Sequence, residues 1–140
     1  MCSSSRRANA ASRCGLRLTV AAVLLLTAGF SVNAQTGSVA KGQAIFESRC
    51  VACHSLDTHR VGPALVSVWG RVAGKAPDFE YSQALAQAKH TWSKDKLLAW
   101  LDNPEALVPG QEMGYRVELA SDRLDVVAFL ASLASPKPAK

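Results

Sequence analysis

The sequence predicts a single all-α domain in which a few short helices fold around something other than protein. Three observations carry this. Apolar residues recur at helical spacing in separate stretches, and no stretch alternates as a half-buried strand would. The segment from Asp57 to Phe79 is long and irregular, punctuated by Gly62-Pro63, Gly70, Gly74 and Pro77. A small helical domain does not sustain such a loop by itself, so the loop and the short helices need an apolar body to wrap.

The elements follow in order. Arg6, Arg7, Arg13 and Arg17 precede an uncharged apolar stretch from Leu18 to Phe30, and Val32-Asn33-Ala34 offers a small-residue cleavage site before Gln35. That order reads as a secretory signal over residues 1–34, cleaved after Ala34. The apolar stretch is short for a membrane span of about 20 residues, and Cys14 lies before it, where a lipoprotein cysteine would lie after. A first helix is predicted from Ser38 to Arg49, with Val39, Gly42 and Phe46 on one face. A short helix is expected at Ser82–Lys89. Another runs from Ser93, as its N-cap, through Leu97, Leu98, Trp100 and Leu101 to Asn103, where Pro104 pushes the preceding residue out of helical geometry. The last starts near Asp122, carries Val126, Phe129, Leu130 and Leu133 on one face, and ends by Pro136. The domain is thus bounded at 35–135, with 136–140 as a tail.

Charge and cysteines narrow the class. The chain has 16 Lys+Arg against 11 Asp+Glu, but four of the basic residues and none of the acidic ones lie in the signal, leaving 12 against 11, near +1. The basic balance therefore belongs to the signal and gives no reason to expect nucleic acid as a partner. Cys2 and Cys14 also leave with the signal. Only Cys50 and Cys53 remain, three positions apart and followed by His54, which is not the wide spacing of a disulfide-stapled secreted domain.

Cys50-Val51-Ala52-Cys53-His54 has the C-x-x-C-H pattern of covalent c-type haem attachment. Two thiols on one turn can each reach a vinyl group on one porphyrin edge, and the adjoining imidazole of His54 lies under the iron as a ligand. Other readings fit less well. A zinc site wants four N or S ligands and would have to recruit the scattered His59 and His90. A thioredoxin-like pair expects a strand–helix setting. A plain Cys50–Cys53 disulfide gives no role to His54. For the second axial ligand, Met113 is the only methionine after the signal, and a thioether opposite histidine raises the potential into the carrier range. A lone methionine is often a gap-filler in a core, and His59 and His90 are the other candidates.

Together these residues resemble class I cytochrome c, in its mitochondrial and short bacterial forms. The resemblance runs through Gly42 and Phe46, Cys50–His54, Gly62-Pro63-Ala64-Leu65, Gly70-Arg71, Phe79-Glu80-Tyr81-Ser82 and Thr91-Trp92. It continues through Leu101-Asp102-Asn103-Pro104, Pro109-Gly110 with Met113, and Arg123 with Phe129-Leu130. It implies one small domain of short helices wrapped around one covalently bound haem, its N- and C-terminal helices packed across each other at Gly42, Phe46 and Phe129. It further implies that Met113 is the distal iron ligand, that Pro63 supports His54 through its carbonyl, and that Arg71, Tyr81 and Trp92 meet a haem propionate. The protein would be an electron carrier rather than an enzyme, a periplasmic monomer or the haem subunit of a dehydrogenase complex. Its partners would be a periplasmic dehydrogenase, a bc1-type complex or a terminal oxidase.

Four departures stand out against that pattern. Trp100 replaces a tyrosine that bonds the methionine sulfur; its indole N–H is also a donor. Leu85 replaces an asparagine of the haem pocket. The loop between His54 and Gly62 is shorter. The lysine ring around the exposed haem edge is largely missing: Arg49 is kept, but Glu105 and Glu112 stand where lysines are expected. An iron left open at the sixth position would instead make a gas sensor or a peroxidase.

Overall fold

The computed structural model describes residues 36–134; the signal predicted at 1–34 and the tail at 136–140 lie outside the described residues. Among the described residues five helices follow one another: α1 (Val39–Arg49), α2 (Gln83–Ala86), α3 (Lys94–Asp102), α4 (Pro104–Leu107) and α5 (Ala120–Ser132). Among the described residues there is no β-strand. An isolated antiparallel bridge joins Val72 to Thr91.

Local chemistry sets the helix starts. Ser38, Ser82, Ser93 and Asn103 each turn a side-chain oxygen back onto a free N–H of the first turn of α1, α2, α3 and α4, which satisfies donors the helix cannot. Three boundaries differ from the sequence reading. The helix expected at 82–89 stops at Ala86, and residues 90–92 exchange backbone hydrogen bonds with the 70–73 segment instead. Asn103 is extended, as a residue before proline should be, yet it restarts a helix: Pro104, at N1, opens the extra turn α4. The last helix begins at Ala120 rather than Asp122, with Leu119 at the N-cap and no side-chain cap. Asp122 is instead paired with Arg49 at 3.1 Å.

The core lies where α1 and α5 cross. Phe46 and Phe129 meet there with ring centroids 5.5 Å apart. Gly42 makes the crossing possible: a Cβ at this position would run into the Asp125 carbonyl oxygen and sit 2.9 Å from Phe129 Cβ. Polar ties fix the angle. Ser38 N–H donates to Asp125 Oδ1 at 2.6 Å. Arg123 donates to the carbonyls of Val117 and Glu118 and pairs with Asp102 at 3.1 Å, fastening the start of α5 to the end of α3. These packed helices form one wall; the irregular 50–82 segment and the 108–117 loop close the other sides of a central cavity.

Candidate haem-binding site

The site grows from the end of α1. The helix finishes at Cys50, and the next turn closes with Cys53 N–H and His54 N–H both donating to Cys50 O, at 3.1 and 2.8 Å. This turn brings the two thiols and the imidazole to one side of the backbone. Cys50 and Cys53 are not joined to each other by a disulfide. Burial holds the Cys50 thiol above its ordinary 9.0, with Cys53 adding to the effect and Arg49 opposing it. The imidazole is fixed from behind: His54 Nδ1 lies 2.8 Å from Pro63 O, so the ring donates from Nδ1 and leaves Nε2 as the basic nitrogen. Gly62 has no room for a side chain because the face of that ring occupies the space.

Cys50, Cys53 and His54 line a cavity of about 460 Å³. The structure brings the other predicted residues to the same cavity: Pro63, Arg71, Tyr81, Trp92, Trp100 and Met113. Its remaining walls are largely apolar, with Phe46, Leu65, Val68, Leu85, Leu97, Leu101, Val126 and Leu130 among them. Leu85 therefore presents a hydrocarbon face where the family pattern has an amide.

Three geometric details bear on a haem. First, Trp100 Nε1 donates to Met113 Sδ at 3.0 Å, so the sulfur is oriented by an indole from α3. Trp100 is itself set edge-to-face on Trp92, with ring centroids 5.3 Å apart. Second, the backbone exchange between the 70–73 and 90–92 segments places Arg71 beside Trp92: Gly70 N–H donates to Trp92 O and Trp92 N–H to Arg71 O, both at 2.9 Å. Third, Arg71 donates from its two terminal nitrogens to Ala64 O and Val66 O, at 3.3 and 3.4 Å, while its Nε is buried without a partner. A buried cationic donor left over at the wall of a cavity calls for an anionic acceptor. Tyr81 presents its hydroxyl to Ala76 N–H at 3.3 Å. Paired thiols, an oriented imidazole, a thioether, an apolar slot and a spare guanidinium nitrogen fit a haem with its carboxylate side chains.

The two other histidines are used differently. His59 Nδ1 accepts from Ala64 N–H at 3.0 Å, and its Nε2 donates to Pro77 O at 2.8 Å. His90 lies outside the cavity, in an open groove with Gln83, Gln87 and Pro109. Its ring stands edge-on to Trp92 at 4.7 Å, and burial, reinforced by Lys96, lowers its pKa below the ordinary 6.5. Among the described residues no group of three or more His, Cys, Asp or Glu side chains could hold a metal ion by itself.

The family model for cytochrome c matches residues 39–134. The chain belongs to the cytochrome c family. Among curated relatives, the cytochrome c of Euglena viridis is 37% identical over 100 residues, covering 69% of this chain and 98% of that protein. The cytochrome c of Gibberella zeae is 35% identical, covering 67% and 92%. Cytochrome c2 of Rhodopila globiformis is 33% identical, covering 72% and 98%. The solved structure of cytochrome cH from Methylobacterium extorquens superposes with a TM-score of 0.65 at 34% identity, over 69% of this chain and 99% of that one. Membership makes the cofactor a covalently attached haem c and the protein an electron carrier that acts with redox partners. The helical fold with its packed terminal helices, expected from the resemblance, is that of the family.

Sequence reasoning missed part of the rim. Val61, 81% exposed, and Tyr115, 40% exposed, line the cavity together with Gly114. Neither sits in a recognisable motif; their exposure as large apolar side chains at a cavity mouth is a property of the folded surface. It also gave Gln111 and Glu105 no part in the site.

Proposed function

We propose that this cytochrome carries single electrons outside the cytoplasmic membrane, through a haem bound by Cys50 and Cys53 with His54 and Met113 as its axial ligands. In this reading residues 1–34 are the cleaved export signal, residues 35–135 form the carrier domain, and the location is the periplasm. The signal-like order of arginines, apolar stretch and small residues supports export. Among the described residues no helix is long and apolar enough to cross a membrane.

The observation that carries the ligation is the hydrogen bond from Trp100 to Met113 Sδ on the cavity that also receives His54 and both thiols. A haem there supplies an iron that cycles between two oxidation states. The chain's own residues do the rest. His54 is held in one tautomer by Pro63, Met113 is aimed by Trp100, and the apolar walls exclude water and favour the less charged, reduced state. In this reading Arg71, Tyr81 and Trp92, which line the same cavity, would hold the propionates.

Weak electron-transfer encounters use small interfaces. The exposed side of the cavity, with Val61, Tyr115 and Glu112 on it, is the face through which a partner would exchange electrons. A periplasmic dehydrogenase with a weakly charged docking face suits it better than an oxidase adapted to a strongly basic carrier.

The test is the absorption spectrum of the oxidised, haem-loaded protein. The weak sulfur-to-iron charge-transfer band at the red edge is expected in the native protein and absent from Met113→Ala. A high-spin native spectrum that shifts on adding carbon monoxide or peroxide would replace this reading with a gas sensor or peroxidase.

A further inference from the structure

The loop that presents Met113 has little backbone to hold it. Its two ends are tied by Val108 N–H to Pro104 O and Val117 N–H to Leu101 O, and between them the one backbone-to-backbone hydrogen bond in the described structure runs from Gln111 N–H to Val108 O, at 3.2 Å. Gly110 is in the left-handed region, with φ +85°, and Gly114 has open space on its Cα, so glycines flank the methionine on both sides. The Trp100 indole orients the sulfur but does nothing for the main chain.

Side chains supply what the backbone lacks. Glu105, on α4, accepts from Gly110 N–H through Oε1 at 2.9 Å and from Gln111 Nε2 through Oε2 at 3.4 Å. Gln111 in turn accepts from Met113 N–H through Oε1 at 2.5 Å. One carboxylate and one amide therefore form a continuous strap from the first turn of α4 to the amide of Met113. The amide of Gln111 is used at both ends, donating at one and accepting at the other, so the two residues work as a unit.

We propose that Glu105 and Gln111 are positioning residues that keep Met113 on the iron, and so keep this haem closed to external ligands. The inference rests on Met113 as the axial ligand. The strap lies at the surface, with Glu105 exposed and Gln111 half-buried, so water competes for its bonds. Its effect falls on where the loop sits and hardly on whether the domain folds. It also gives Glu105, standing where the family pattern expects a lysine, an intramolecular task.

The experiment uses the ferric, haem-loaded protein and imidazole as the external ligand, titrated by absorbance, with amide hydrogen exchange read at Gly110 and Met113. Glu105→Ala and Gln111→Ala are each expected to bind imidazole about tenfold more tightly than the native protein and to exchange the Met113 amide about tenfold faster. Thermal midpoints should hardly move. Glu105→Gln keeps an acceptor for Gly110 but opposes one amide donor to another, and should fall between. Glu47→Gln, which alters an exposed carboxylate bonded only to Gln43 on α1, should leave every reading unchanged. Because the two residues form one chain of bonds, the double alanine variant should also stand at about tenfold, not a hundredfold. Unchanged imidazole affinity and Met113 exchange in both single variants would overturn the proposal, as would a fully multiplicative double variant. A native protein without the sulfur-to-iron band would refute the ligation reading, whereas loss of Met113 amide protection in Gln111→Ala would still report the strap.

Discussion

At the scale of single residues, the site depends on what each side chain has left over after its structural bonds. His54 has one nitrogen bonded to Pro63 and one left to coordinate; His59 has both ring nitrogens engaged with backbone. That difference separates His54 from His59, and it cannot be read from residue type. Trp100 shows the reverse. The sequence shows that an indole in place of a phenol still offers a donor but leaves its geometry open, and in the structure that donor meets Met113 Sδ at 3.0 Å. His90 illustrates a residue whose effect is on stability. Burial and Lys96 lower its pKa, so the unfolded chain takes up this proton before the folded one does. Its contribution is therefore complete above about pH 6.5 and is lost as pH falls through that value towards the lower folded pKa. The thermal midpoint of the native protein should consequently fall more steeply between about pH 7 and about pH 5 than that of His90→Gln. Parallel curves would show that another group controls the acid limb.

At the scale of elements, the crossing of α1 and α5 is where sequence and structure agree most closely, because it depends on two local patterns and one missing side chain. Gly42 in the middle of a helix costs about 1 kcal/mol relative to alanine, which identifies it as a contact residue. The structure names what it contacts: the Asp125 carbonyl and Phe129. Gly42→Ala should gain helix propensity and still lose stability overall, by about 1–3 kcal/mol as in other overpacked cores, measured by urea unfolding of the haem-loaded protein. A stabilised Gly42→Ala would mean that the helices can separate at little cost. Ser93 was legible as a cap for the same local reason, whereas Ser38 and Ser82 read as the first residues of their helices and cap them instead. The turn α4 was not, because Pro104 reads equally as the end of one helix and the start of the next, and only packing decides. The strap was illegible for a deeper reason: Glu105 and Gln111 are six positions apart, and nothing in either residue announces that α4 and the loop fold back on each other.

At the scale of the whole molecule, the cavity is a wall of α1, α3 and α5 facing loops that would have nothing to close upon without a cofactor. The sequence indicated as much through the unsupported 57–79 segment. What it could not give was the surface, since exposure depends on the fold. Arg49 at the cavity mouth is paired with Asp122, Glu105 is committed to the Met113 loop, and the rim carries Val61, Tyr115 and Glu112. With so little net charge on that face, electron transfer with a protein partner should change no more than about threefold between ~10 mM and ~200 mM salt, where strongly steered pairs change by tenfold or more. A stopped-flow rate with a basic-carrier oxidase that is fast and collapses with salt would contradict the assignment of this face.

The edge-to-face pair of Trp92 and Trp100 on the cavity wall has one more consequence, which is optical. Tryptophan emission overlaps haem absorption, so a haem against these two indoles drains their excited state before they can fluoresce. Two of the molecule's three tryptophans would thus be dark in the loaded protein and bright once the chain opens away from the porphyrin. Cofactor loading and unfolding could be followed in this protein by its own ultraviolet emission, without a label.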